Sequence, residues 1–291
     1  MKNKLILGTV QLGLNYGINN KTGKPSLQNA FEILHLAYDE GLRILDTAEA
    51  YGDSQEVIGK FQKENPNKIF NIITKLATNN TLRKGGLLKQ IDIDCQILGV
   101  NQLYGYMFHN YESFKNNTYF YNELLLAREK GIIIKAGISL YSNDEIKDIL
   151  DNYPGFDFIQ IPFNALDNAS KRKNLFIRAR NMNIEVHTRS VFLQGLLFKN
   201  SNNLTEVLKP LRTYIKKFES IKVKSRLNTE TLALQYVLEK EYIDFVLFGV
   251  ENSEQLMNNI IICEKKVNIP HDSIDAIDVK EINLLNPSNW N

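Results

Sequence analysis

The stretch Ser26-Leu27-Gln28-Asn29-Ala30-Phe31-Glu32-Ile33-Leu34-His35-Leu36-Ala37-Tyr38-Asp39-Glu40-Gly41-Leu42-Arg43-Ile44-Leu45-Asp46 carries one complete helix-to-strand unit. Ser26 is a helix-capping residue, its hydroxyl suited to the free amides of a first turn. Phe31, Ile33, Leu34 and Ala37 follow at the spacing of one buried helical face. Gly41 stops the helix, and residues 43–46 form a short apolar run that ends on a carboxylate. The unit repeats outward in both directions. Candidate strands at 5–10, 43–46, 69–75, 103–108, 131–139, 158–162, 184–190 and 245–249 alternate with amphipathic stretches. One of these, 229–240, places Leu232, Leu234, Val237 and Leu238 at helical spacing. Most of the strands are apolar throughout, as parallel strands covered on both faces are. Eight such strands, each followed by a helical segment, predict an α/β chain folded as a (β/α)8 TIM barrel. No linker or charge block divides residues 1–291, so a single domain is expected, with the longest gap, 193–229, read as a loop insertion.

Composition narrows the function classes. The chain has 291 residues, 43% hydrophobic and 23% charged, enough to bury a large core. A net charge of +2 argues against a protein that grips nucleic acid by neutralising phosphates. Cys95 and Cys263 are too few for a disulfide framework or a four-cysteine zinc site, and they fit a reducing, cytoplasmic setting. Residues 1–10 loosely imitate a signal peptide, but the apolar run ends at Gln11 and Asn15-Tyr16-Gly17 offers no small-residue cleavage site. A buried first strand is the better reading. No apolar run reaches the length of a membrane span, and no membrane partner is expected.

In such a barrel, chemistry gathers at the C-terminal ends of the strands. Those ends hold Asp46 with Tyr51 just beyond it, Lys75, His109, Ser139, Gln160, Ser190 and Gly249. Singly, each has a structural explanation: Asp46 as a turn cap, Lys75 as a solvated strand end, His109 as a core histidine. Their recurrence on successive strands points to a site. Four of them fit one reaction. A free tyrosine has a pKa of roughly 10, too high for efficient proton donation near neutrality. A neighbouring lysine ammonium would lower it, an aspartate would fix the lysine, and a neutral histidine would orient a carbonyl. No side chain delivers hydride, so a cofactor must.

The sequence resembles the aldo-keto reductase family. The likeness lies in Gly8-Thr9, in Asp46-Thr47-Ala48-Glu49-Ala50-Tyr51-Gly52-Asp53-Ser54, and in Ile73-Thr74-Lys75. It continues through the strand ending at His109, Gly137-Ile138-Ser139, Gln160 with Asn164, and Phe248-Gly249-Val250 with Glu254-Gln255 and Asn259. It implies a barrel that uses NAD(P)(H) to reduce an aldehyde or ketone, or to run the reverse. By position it makes Tyr51 the general acid/base, Lys75 and Asp46 its tuning pair, and His109 the orienting residue. Gly8, Thr9, Asp46, Ser139, Gln160, Ser190, Gly195, Gly249, Val250, Glu251, Gln255 and Asn259 match cofactor-contacting positions. Two departures stand out: no proline follows His109 two residues on, and Leu140 stands after Ser139 where many relatives place an asparagine.

The resemblance favours NADP(H), yet Gly249 and Gln255 stand where relatives carry the Lys and Arg that hold the 2′-phosphate, and Glu251 is acidic. Local residues therefore favour NAD(H). The loops 15–24, 110–121 and 193–226, with the tail 282–291 and its Trp290, would bound the substrate. Their Asn- and Tyr-rich composition suits a polar, sugar-like carbonyl. Glu49 and Glu56 do not make a glycosidase pair with Asp46, because Glu56 falls in a helical pattern. His35 and His271 read as structural, while His187 lies near a strand end. Two alternatives stay open: a cofactor-binding regulatory subunit without turnover, and an epimerase or dehydrogenase that retains its nicotinamide.

Overall fold

The computed structural model describes residues 1–20 and 22–290. Eight parallel strands close into a barrel in chain order: β1 (Leu5–Gly8), β2 (Ile44–Asp46), β3 (Asn71–Leu76), β4 (Leu103–Phe108), β5 (Ile133–Ser139), β6 (Phe158–Pro162), β7 (Glu185–Arg189) and β8 (Phe245–Gly249). Between β1 and β4 lie α1 (Val10–Gly13), α2 (Leu27–Asp39), α3 (Ser54–Glu64) and α4 (Leu87–Leu98). Then come α5 (Tyr111–Asn116), α6 (Phe120–Glu129), α7 (Asn143–Asn152) and α8 (Ala169–Asn181). The chain closes with α9 (Arg212–Ser225), α10 (Thr229–Leu238), α11 (Ser253–Glu264) and α12 (His271–Asp275). The expected (β/α)8 TIM barrel is the fold. Residues 21 and 291, which belong to the expected substrate loop 15–24 and tail 282–291, lie outside the described residues.

The Ser26 side chain accepts from the Asn29 amide, as its capping role requires, and Gly41 turns the chain at φ +90°. Several strand ends shift by one or two residues from expectation, and two departures bear on the site. Val10 begins α1 instead of ending β1, because Thr9 is already pulled out of strand geometry by its bonds to Asp46. The 193–229 segment is no open loop: it folds α9, anchored by buried Ile215 and Phe218.

Along each strand, alternate residues enter the barrel. Ile6, Ile44, Ile73, Met107 and Phe158 fill its centre, separate from the larger core between barrel and helices. Phe158 stacks on His187, ring centroids 4.5 Å apart, and its ring occupies the space that a Cβ at Gly137 would need. Below that layer, Lys135 on β5 meets Glu185 on β7 at 2.6 Å. The barrel is therefore plugged from its base to its middle. Above this plug lies the C-terminal layer, where the polar strand-end residues gather.

Candidate active site

Asp46 is wholly buried at the end of β2, and Lys75 on β3 is 1% exposed. The Lys75 ammonium forms a close ion pair with Asp46 Oδ1 and donates to the Thr47 carbonyl at 2.8 Å. Gln160 on β6 donates to the other carboxylate oxygen at 2.7 Å. A ladder of hydroxyls holds the Asp46 backbone in place. Thr47 Oγ1 donates to Ser54 Oγ (3.1 Å), Ser54 Oγ to the Thr9 carbonyl (2.9 Å), and Thr9 Oγ1 to the Asp46 carbonyl (3.0 Å). Thr9, Thr47 and Ser54 are therefore structural members of the sequence pattern. They weld β1 and β2 to the start of α3, so the intervening Tyr51 is carried on a fixed turn.

The Lys75 Nζ lies 4.8 Å from the centre of the Tyr51 ring, and the Tyr51 and His109 rings stand edge to face with centroids 5.7 Å apart. The four residues named from strand ends are thus brought together. Their electrostatics differ from expectation in one respect. Desolvation, and then the Asp46 carboxylate, hold the Tyr51 phenol well above the ordinary tyrosine range. Lys75 does not draw it down: its charge is matched at contact by Asp46, and burial lowers its own pKa. Arg189 is the cation that opposes the rise at Tyr51. Burial, with Lys75 and Arg189 adding to it, takes His109 down to about 3, so its imidazole is neutral.

Ser139 and Gln160 sit side by side in register on β5 and β6, both buried. Gln160 Oε1, Gln11 Oε1 and His109 Nδ1 are buried without a partner among the described residues. Such atoms call for a donor or acceptor from a bound molecule. A nicotinamide carboxamide, with both an N–H and a C=O, fits the Gln160–Ser139 pair. Gly249 ends β8 with the Gln11 side chain packed where its Cβ would stand, and buried Val250 follows. Glu251 donates its backbone N–H to Gln255 Oε1 at 2.9 Å, folding that side chain back onto the chain. Asn259 is buried on α11, and half-buried Ser190 follows β7 at φ +62°. Gly195, at φ +93°, accepts a bond from Asn19.

Other sequence expectations resolve elsewhere. His187 belongs to the barrel plug, bonded to Glu185 at 3.1 Å. His35 packs edge-on against Phe61, and His271 pairs with Glu239. The Trp290 indole donates to the Leu284 carbonyl within its own tail at 2.9 Å. Three residues escaped the strand-end reading: Tyr16, Tyr141 and Arg189. The Arg189 guanidinium lies 4.2 Å from the Tyr141 ring centre, and Tyr16 is buried enough to be pushed up to about 12. The period-two pattern of β7 was the available signal for Arg189.

Fold and site together define a TIM-barrel protein with a buried acid–base cluster at the mouth. The aldo/keto reductase family model matches residues 4–282, and the chain belongs to that family, one of oxidoreductases. An aldo-keto reductase from Bacillus halodurans, in its holo form, superposes with a TM-score of 0.75 at 19% identity, covering 94% of this chain and 92% of that one. A glycerol dehydrogenase from Gluconobacter oxydans superposes with a TM-score of 0.71 at 20% identity, covering 94% and 90%. No curated protein matches the chain in sequence.

Proposed function

We propose that the protein reduces an aldehyde or ketone to an alcohol with a nicotinamide cofactor, Tyr51 delivering the proton to the carbonyl oxygen. The observation that carries this reading is the Asp46–Lys75–Tyr51–His109 cluster at the C-terminal mouth of the barrel, above the layer filled by Ile6, Ile44, Ile73, Met107 and Phe158. A bound nicotinamide would be held by Ser139 and Gln160 and would supply the hydride. Burial and the Asp46 carboxylate keep Tyr51 in its protonated form at neutral pH, so the proton for the carbonyl oxygen is in place. Neutral His109 can donate one hydrogen bond to the same carbonyl oxygen and fix its angle to Tyr51. Lys75 has a positioning role: paired with Asp46, it holds that carboxylate in place beside Tyr51.

NAD(H) is the proposed cofactor, in a cytoplasmic setting, since Gly249, Glu251 and Gln255 offer no cation to a 2′-phosphate. The test is carbonyl-dependent oxidation of NADH and NADPH across aldoses, keto-sugars and simple aldehydes. Steady consumption of NADH with alcohol formed in equal amount is expected. Cofactor binding with no consumption by any carbonyl would contradict it and favour a non-catalytic subunit.

A further inference from the structure

Resting on the carbonyl reduction proposed above, we propose that Glu49 and Asp94 are positioning residues for the proton donor: behind the Tyr51 turn they share one proton, and that proton keeps the turn in its productive arrangement. The turn between β2 and α3 is tied to β1 on one side by the hydroxyls of Thr9, Thr47 and Ser54. Glu49, two residues before Tyr51, makes the tie on the other side. Its amide donates to the Lys75 carbonyl at 3.3 Å, and its Oε1 accepts from the Tyr106 hydroxyl at 2.9 Å. Tyr106, 1% exposed, belongs to the core between barrel and helices and lies outside the mouth. Asp94 on α4 is wholly buried and faces the same hydroxyl. Its Oδ1 has a long bond from Gln55 at 3.4 Å, while that amide sits closer to Thr74 Oγ1, at 2.8 Å. Its Oδ2 is buried without a partner among the described residues.

The groups that face the pair from β3, β4, α3 and α4 are uncharged. They are the Ala77 amide, the Tyr106 hydroxyl, and the Gln55 and Gln90 side chains. Tyr106 stays a phenol, and the Cys95 thiol beside Asp94 is pushed up to about 11. Two ionised carboxylates in that setting repel each other away from water. One proton on Asp94 ends the repulsion and turns the orphan Oδ2 into a donor toward Glu49. Burial, and then the Glu49 charge, push Asp94 up to about 7, and burial pushes Glu49 up as well. The pair therefore keeps its proton in acid and loses it as pH rises through about 7. Asp94 is then fixed on a buried helix face, whereas half-buried Glu49 has a route to water. Its withdrawal relieves the repulsion and breaks the tie to Tyr106, two residues from the donor. Tyr51 itself titrates well above this range and His109 at about 3, so a limb near 7 belongs to neither.

The test is single-turnover oxidation of bound NADH by the best carbonyl of the aldose, keto-sugar and aldehyde panel, between pH 6 and 9. In the unmodified protein the rate should fall by about tenfold across that range, the cost of a misplaced acid. Asp94→Asn, whose carboxamide donates at every pH, should hold the acid rate throughout. Glu49→Gln should flatten the profile in the same way, and it serves if Asp94→Asn does not fold. Glu49→Ala offers no tie and should be slow at every pH, with carbonyl and NADH dissociation constants within roughly threefold. A flat profile in the unmodified protein would overturn the proposal, as would a limb that survives in both amide variants. If no carbonyl is turned over, the oxidoreductase reading itself fails. The hold on the turn is then read by amide hydrogen exchange of residues 47–54 at pH 6 and 9, corrected for the intrinsic rate. Protection lost at pH 9 in the unmodified protein and kept in Asp94→Asn sustains it; equal protection at both pH values overturns it.

Discussion

Lys75 keeps an ammonium group where almost no water reaches it, because Asp46 and the Thr47 carbonyl take its protons. Removing only one partner leaves a buried charge alone. Lys75→Met should therefore destabilise the fold by about 3–5 kcal/mol in urea denaturation, and Asp46→Asn added to it should restore a good part. Equal stability of the single variant would show that the pair is not buried as described. The histidines set the acid limb. His109 and His187 have folded pKa values below the unfolded value near 6.5. Each stabilises the fold above that value, and the contribution is lost as pH falls toward the folded value, about 3 for His109. Thermal stability should thus fall between pH 6.5 and 3, less steeply in His109→Gln; an unchanged slope would contradict the assignment. Asp46, Tyr51, Lys75 and His109 were legible in the sequence because strand ends in a barrel converge. Arg189 was not, since Ser190 drew attention as the strand end while the chain places Arg189 last on the inward face.

At the scale of elements, the strands were legible because short β-rich apolar runs between turn residues have few other uses. Val10 was misread because a β-branched apolar residue fits a strand end and a helix start alike. The helix α9 was missed for a different reason: its sequence is lysine-rich, and only Ile215 and Phe218 are buried, so its apolar stripe is thin. Short α1 has a consequence for the site. A Cβ at Gly13 would overlap the Tyr51 carbonyl oxygen and crowd the Ser54 amide, so this glycine is what lets α1 lie against the Tyr51 turn. Gly13→Ala should displace Tyr51 and lower kcat by about 100-fold, at a stability cost of about 1–3 kcal/mol. Steady-state kinetics beside a thermal melt would check it. Full activity in the variant would show that the turn is not held by this contact.

For the whole molecule, the barrel count followed from the sequence alone, whereas the charge state of the mouth needed three dimensions. The Asp46–Lys75 pair cancels only because the two side chains touch, which spacing along the chain does not reveal. Cofactor choice is likewise a property of the assembled mouth. Glu251 is half-buried and Gln255 is folded back onto the Glu251 amide, so neither presents a cation. NADH should bind at least as tightly as NADPH, and Glu251→Arg should shift the ratio toward NADPH by about tenfold; a strong NADPH preference in the unmodified protein would contradict this. The central claim is that Tyr51 is the proton donor of a carbonyl reduction. Its most direct measurement is single-turnover oxidation of bound NADH by a carbonyl substrate in the unmodified protein and in Tyr51→Phe, with NADH affinity determined for both. The account predicts unchanged NADH binding and a rate lower by at least about 100-fold in the variant. A variant that oxidises NADH at the unmodified rate would contradict it.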